Sequence, residues 1–404
     1  MTVQIRNFYA FLLDFPVSHY ISGWRNISRT HHLLVFIATD EGIIGLGEGT
    51  PYATSHLSDY IYALRLLGKL KGCNIEDALS TLRMTENKLF EKRSTVNFGA
   101  FLAIESALLD ALAKARKSPV AEVLGGAYRT TLPVAGTVFL GHPLRMVKRI
   151  RWWLERGVKH VKLKIPCNIN KLELYLDTVM RITRLRNEGV TLRVDANECF
   201  KELDKAYKAL QIMSRYGVDI VEQPMPRDRL REIARLRKAF SPTIKIMLDE
   251  SLMRPQDLET FATMEAADIV NFHPSKLGCP SITREAILKA KKLGFEVNIG
   301  SSLMTEVGLA HYLNLAASLP ELDYPLEEVG IKEFYPSYSV LKPQKSVLLT
   351  ITNGNMKLPS DLGTDINFED LRLDTLKAFF ERVEPSYILR DKVKMLLSNI
   401  IRNL

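Results

Sequence analysis

Cysteine is scarce in this 404-residue chain: Cys73, Cys167, Cys199 and Cys279 stand far apart, with no Cys-x-x-Cys and no histidine at ligand spacing. Neither a zinc framework nor a disulfide framework is expected, and the four read as free thiols. No stretch approaches about 18 uncharged apolar residues, so a membrane-spanning helix is excluded. The first twenty residues carry Arg6 and Asp14 without a secretory pattern, and a cytoplasmic protein is expected. Low-complexity tracts and linkers are lacking. With 46% hydrophobic and 25% charged residues the composition is that of an ordinary globular chain rather than a disordered or fibrous one. The net charge of +9 invites a nucleic-acid or membrane partner. Lys and Arg, however, lie at helical spacing beside acids, as from Arg181 to Arg186 and from Arg227 to Lys238, without interleaved aromatics or glycine-rich loops. No nucleic acid and no membrane is therefore expected, and the positive field suits a carboxylate substrate.

At this length one barrel of about 200 to 250 residues plus a smaller unit is expected. Residues 1 to about 50 pattern as three strands with a turn at Asp40-Glu41-Gly42, and residues 54 to 117 as helices. From Leu132 onward strands and helices alternate. The strands are expected near 133–138, 159–165, 191–196, 218–222, 243–249, 268–273, 296–300 and 324–328, with amphipathic helices such as 144–156 and 281–293 between them. Eight such units fit a closed parallel barrel. The fold class is α/β: a modified (β/α) TIM-type barrel (129–330) under an N-terminal α+β capping domain (1–128). Residues 331–404 follow the barrel and end in a helical extension.

Three acids punctuate the middle of the chain, Asp195 in Val194-Asp195-Ala196-Asn197, Glu222 in Val221-Glu222-Gln223-Pro224 and Asp249 in Leu248-Asp249-Glu250-Ser251, 27 residues apart in both cases. That is the length of one βα repeat, so three successive strands each deliver a carboxylate to the C-terminal mouth of the barrel. Singly, an acid after an apolar run is an N-cap or a solvated loop residue. Helix capping, however, requires neither the equal spacing nor the lysine pair one strand upstream. Three converging anions are relieved most simply by a hard divalent cation, Mg²⁺, with Mn²⁺ as the alternative. Lys162 and Lys164, two residues apart, share a strand face and point into the same mouth. Like-charge repulsion between them disfavours a second ammonium and lowers a lysine pKa toward working pH, as a base requires.

The order Lys-x-Lys, Asp-Ala-Asn, Glu-Gln-Pro, Asp-Glu-Ser resembles the enolase superfamily, in its muconate lactonizing enzyme and mandelate racemase branch. Leu34–Gly42 with Gly45-Leu46-Gly47-Glu48 is similar to the hairpin of that family's cap, and Ala103–Leu112 with Leu124-Gly125-Gly126 to the helix and glycine pair before its barrel. Asn353–Pro359 with Leu362-Gly363 resembles the family's returning strand and loop, which implies that residues 331–404 return to the cap. The resemblance implies Asp195, Glu222 and Asp249 as metal ligands, Lys164 as acid/base, Lys162 as its electrostatic partner and Asn197 as a residue supporting the ligands; a homo-oligomer is expected. It also implies a proton abstracted or added α to a carboxylate through an enolate, with cycloisomerisation or dehydration as the net reaction. The alternatives are an acid-sugar dehydratase or racemase of the same superfamily, or a metal-binding barrel without catalysis.

The sixth strand departs from the pattern. His273 in Asn271-Phe272-His273-Pro274-Ser275-Lys276 stands where the muconate lactonizing branch has a second lysine, and Lys276, expected in the following loop, is the weaker candidate. An isolated histidine there would simply pack at the strand end; facing a metal mouth it is an acid opposite Lys164. The histidine of the mandelate branch's seventh strand is missing from Val297–Ser302. On the eighth strand Glu327 matches a glutamate of both branches and is expected at the substrate carboxylate, while the Asp-x-Asp of dipeptide-epimerising members is missing. The segment 18–29, with Trp24, Arg25 and Arg29, falls where the family keeps a mobile loop over the mouth; a solvated surface loop is the equal alternative.

Overall fold

The computed structural model describes residues 3–22, 25–50, 56–92, 98–327, 330–359 and 362–380. Alternating apolar residues open the chain as a long hairpin of β1 (Ile5–Ser22) and β2 (Arg25–Thr39). The turn at Gly42, whose φ of 77° favours glycine, leads into β3 (Ile44–Gly49), which completes an antiparallel sheet in the order β1-β2-β3. Three helices follow, α1 (His56–Leu70), α2 (Ile75–Glu91) and α3 (Phe98–Arg116). Gly45, Gly47 and Gly49 line one face of β3, and a Cβ on any of them would collide with the α3 backbone at Ala107, Ala103 or Gly99. Glycines at period two and alanines at period four are thus two halves of one close contact.

Through α4 (Val120–Leu124) the chain enters a row of eight parallel strands: β4 (Thr131–Val138), β5 (His160–Lys164), β6 (Thr191–Asp195), β7 (Ile220–Glu222), β8 (Lys245–Leu248), β9 (Ile269–Phe272), β10 (Glu296–Ile299) and β11 (Leu326–Glu327). They run in the order β11-β4-β5-β6-β7-β8-β9-β10, and each expected strand lies within two residues of its observed place. The ends of the row meet through side chains: Asn298 Nδ2 donates to Glu327 Oε1 at 2.6 Å and Ser301 Oγ to Glu327 O at 2.9 Å. Outside lie α5 (Pro143–Leu154), α6 (Ile169–Thr183), α7 (Leu203–Arg215), α8 (Leu230–Phe240), α9 (Asp257–Thr263), the single turn α10 (Pro274–Leu277), α11 (Pro280–Lys292) and α12 (Glu306–Ala317). On α8, Ile233 and Leu236 are buried while Arg231, Arg235 and Lys238 face outward, so this basic run is a solvated helix face. Among the described residues no helix is long and apolar enough to cross a membrane.

Three expectations are corrected. Cys167 and Cys199 form a disulfide, with Cα atoms 5.0 Å apart, and only Cys73 and Cys279 are free. Cys167 and Cys199 are 32 residues apart in sequence, but β5 and β6 are neighbours, so the loops after these strands meet. Of the segment 18–29, expected as a loop, residues 18–22 and 25–29 form strand, Ser22 pairing directly with Arg25. Trp24 lies outside the described residues, as does the Arg25 side chain. Arg29 is bound across the hairpin to Asp14, its Nε donating to Oδ1 at 2.8 Å. The returning strand β12 (Asn355–Lys357) pairs antiparallel with β4 of the barrel rather than with the cap sheet. The chain reaches the cap just beyond it, where Thr364 N–H donates to Asp110 Oδ1 on α3 at 2.8 Å. The expected helical extension, residues 381–404, lies outside the described residues.

Candidate active site

Strand register sets the site. Lys164 is paired with Asp195 and Asp195 with Glu222, so the ends of β5, β6 and β7 stand at one level. Met247 pairs with Glu222, and Asp249, two residues further on, shares its face. His273 follows β9, and Glu327 ends β11. The expected residues therefore converge on one end of the barrel, all buried. Lys164 Nζ donates to Asp195 Oδ2 at 2.6 Å, and Lys162 Nζ lies 3.0 Å from the same oxygen, so the two lysines share one carboxylate. Lys162 also donates to Glu222 Oε1 at 3.1 Å and to Glu327 Oε2 at 2.6 Å. Asn197 N–H donates to Asp195 Oδ1 at 2.9 Å, and its amide reaches Glu250 Oε1 at 3.0 Å, so it holds two acids in place.

Charge dominates this mouth. Buried against one another are the acids Asp195, Glu222, Asp249, Glu250 and Glu327 and the cations Lys162, Lys164, Arg193 and Lys276. Burial pushes the Lys162 ammonium down, but Glu222, Glu327 and Asp195 outweigh it and hold the group well above its usual value. Burial likewise pushes the Asp195 carboxyl up, and Lys164 and Lys162 overturn that and keep it ionised. The opposite balance holds at Glu222, where burial and Asp195 raise the carboxyl well above the usual range against the pull of Lys162 and Arg193. Glu250 is pushed up to about 7 by burial and by its neighbours Asp249 and Asp195. A site with more acids than cations, in which burial raises the carboxyls of both Glu222 and Glu250, gains by admitting a dication. Glu222 Oε2 is buried and accepts no hydrogen bond, its ion-pair neighbour Arg193 Nε standing 3.5 Å away. Hard oxygen donors with a spare lone pair fit Mg²⁺. The ligand atoms already within 4.8 Å of one another belong to Glu222, His273 and Glu327; Asp195 and Glu222 are bridged by Lys162.

His273 and Lys276 meet on Asp249. His273 Nε2 lies 3.1 Å from Asp249 Oδ1, and Lys276 Nζ donates to the same oxygen at 2.6 Å. Gly300, at the end of β10, makes room for the ring, since a Cβ there would strike His273 Nε2. Burial lowers the His273 pKa, and the pull of Asp249 recovers only part of it. Lys276, expected in a loop, is instead fully buried on α10. Pro274 at the first helical position starts a turn that places Lys276 three residues from His273 and on its side.

Three further residues complete the mouth and were not expected. Arg193 lies 2.8 Å from Glu327 Oε2, Asn271 Nδ2 donates to Glu222 Oε1 and Glu327 Oε1 at 3.1 Å each, and Asn298 Nδ2 donates to Asn271 Oδ1 at 2.7 Å. Arg193 and Asn271 stand two residues before Asp195 and His273, so the period-two rule carried the signal. The cap is held over this end by acids. Glu48 of β3 accepts from Thr305 N–H at 2.9 Å and Gly308 N–H at 2.8 Å at the start of α12. Glu105 of α3 accepts from Ser281 N–H at 2.8 Å, and Glu86 of α2 from Cys279 N–H at 3.0 Å, at the start of α11. A cavity of about 40 Å³ remains between cap and barrel, lined in part by Glu48, Ser275, Ser301 and Met304.

Residues 145–371 match the family described as Enolase C-terminal domain-like, and residues 21–125 match the mandelate racemase / muconate lactonizing enzyme N-terminal domain. The chain is similar to N-succinyl-L-Arg/Lys racemase of Bacillus cereus, with 24% identity over 323 residues covering 78% of this chain and 85% of the relative. It is also similar to muconate cycloisomerase 1 of Acinetobacter baylyi, with 26% identity over 356 residues covering 85% and 91%. The crystal structure of muconate lactonizing enzyme from Pseudomonas fluorescens complexed with muconolactone superposes with a TM-score of 0.80 at 25% identity, covering 94% of this chain and 100% of that one.

Proposed function

We propose that this chain, which belongs to the mandelate racemase and muconate lactonizing enzyme branch of the enolase superfamily, is a Mg²⁺-dependent enzyme that moves a proton α to the carboxylate of a small acid. The net reaction is a cycloisomerisation or a dehydration. The observation that carries this reading is the meeting of Lys164, Lys162 and Asp195 on one carboxylate oxygen at the mouth, beside Glu222.

Asp195, Glu222 and Asp249 are the residues that would hold Mg²⁺. When bound, the ion supplies positive charge to the substrate carboxylate and so lowers the cost of an enolate. Lys164 takes the α-proton at Nζ. Lys162, held protonated by three acids, keeps fixed positive charge behind it. His273 stands after the sixth strand of an eight-strand ring and Lys164 on the second, so a substrate lies between them. A lysine of ordinary pKa near 10.4 and a histidine near 6.5 make an unequal pair, which suits elimination better than racemisation between two equal bases. Glu327, bound to Lys162, Arg193 and Asn298, faces the same space and orients the substrate carboxylate.

The test is solvent exchange. In deuterated buffer with Mg²⁺, the protein should wash deuterium into the α-position of at least one acid in a panel of small carboxylates, and chelation should stop it. A folded, Mg²⁺-loaded protein that exchanges none of them would overturn the reading in favour of a binding role.

A further inference from the structure

The Cys167–Cys199 bond stands at the mouth, not on a remote surface. Cys167 is the third residue after Lys164 and Cys199 the fourth after Asp195. Lys164 with Asp195 is the last paired position of β5 and β6, so beyond it the ladder no longer holds the two segments together. The segment after β6 is a tight turn in which two consecutive non-glycine residues, Asn197 (φ 42°) and Glu198 (φ 63°), adopt left-handed backbone. L side chains rarely take that conformation, and it persists only where neighbours over-determine it. From the β7 and β8 side the turn is fixed by Glu198 N–H donating to Gln223 O at 2.9 Å, by Arg227 on Glu198 at 3.2 Å and by Asn197 on Glu250 at 3.0 Å. From the β5 side the covalent tie is the disulfide.

We infer that Cys167 and Cys199 are positioning residues, whose bond clamps the Lys164 end of β5 to the turn carrying Asp195 and Asn197. The inference rests on the proposed function for its purpose. Both cysteines are half-buried rather than enclosed, so a small thiol reaches them. A dithiol reductant attacks one sulfur as thiolate, forms a mixed disulfide and closes on itself; it leaves as the cyclic disulfide, and two protein thiols receive the two electrons and two protons. Reduction frees the segment after β5 from the turn and loosens the Lys164–Asp195 pair. The site thereby acquires a dependence on thiol redox state.

Three readings on the full-length protein test this. Thiol titration in denaturant should find two thiols before reduction, Cys73 and Cys279, and four after it. Acetylation of Lys164, followed by peptide mass spectrometry at one fixed pH, should quicken on reduction by roughly fivefold or more, the scale of a loosened local segment. Reoxidation should reverse the change, Cys167→Ser should label like the reduced protein with or without reductant, and Cys73→Ala should label like wild type. Mg²⁺ titration calorimetry should show weaker binding by a similar factor in the reduced form. Four thiols before reduction would overturn the inference. So would unchanged Lys164 labelling with only a lower melting temperature, because the bond would then serve stability alone. If Mg²⁺ binds neither form, the functional reading falls, while the labelling still decides the clamp.

Discussion

At the scale of single residues, the chemistry rests on which charges the barrel brings together. Lys164, at the end of its strand, donates to Asp195, whereas Lys162 is shared among three acids, which hold its ammonium well above the usual value. Lys164→Ala should lose at least about a hundredfold in turnover, the low end of what a positioned acid/base contributes, while calorimetry still finds Mg²⁺ bound. Wild-type turnover in that variant would move the base to another residue. His273→Ala should retain α-proton exchange and lose turnover of substrates with a poor leaving group. Because burial lowers the His273 pKa, its protonated form gains population only as pH falls below the ordinary histidine value. Turnover relative to exchange should accordingly rise toward acid pH in wild type and stay flat in His273→Ala. Equal loss of both rates would assign the ring to binding. Of this site, the acids and the lysine pair were legible because each ends a strand at a regular interval. Arg193, Asn271 and Asn298 sit one layer deeper, where a polar residue in an apolar run gives no sign of its partner.

At the scale of elements, acids from the cap satisfy N–H groups that lack an intrahelical partner at the starts of two barrel helices. Glu86 and Glu105 serve α11, and Glu48 serves α12. Glu105 also receives Arg83 Nε at 2.9 Å and Ser281 Oγ at 2.6 Å, and it is fully buried. Glu105→Ala would strand all three donors and should cost about 2 to 4 kcal/mol in urea denaturation, more than a surface ion pair contributes. A cost under about 1 kcal/mol would show that water replaces the carboxylate. The helices and strands themselves were legible from their periods. Their docking was not, since Glu105 reads in sequence as one polar position on an otherwise apolar helix, and its partner Ser281 is remote along the chain.

At the scale of the whole molecule, the seam between cap and barrel carries a pH dependence. Burial raises the Glu86 carboxyl well above its usual value, against the Cys279 N–H that favours the ionised form. The folded state thus binds this proton more tightly than the unfolded chain does. Its stabilising contribution is complete below the ordinary carboxylate value of 4.5 and is lost as pH rises through the raised folded value. Glu86→Gln keeps an acceptor and removes the proton. Thermal melts should show the variant gaining on wild type between pH 5 and pH 8, and a difference independent of pH would mean that Glu86 ionises freely in the fold.

What the sequence by itself determined is whatever local period and spacing encode. The eight strands lie within two residues of their expected places, and Asp195, Glu222, Asp249, Lys162 and Lys164 reach one mouth because parallel strands repeat at a near-constant length. Tertiary structure alone decided the rest. Cys167 found Cys199 because adjacent strands bring their loops together, Lys276 entered the site on a one-turn helix, and residues 20–22 became strand by pairing with 25–27. The physical reason is common to all three. A contact between residues far apart in the chain is set by which surfaces pack, and burial then turns an ordinary cysteine, lysine or glutamate into one whose partner decides its chemistry.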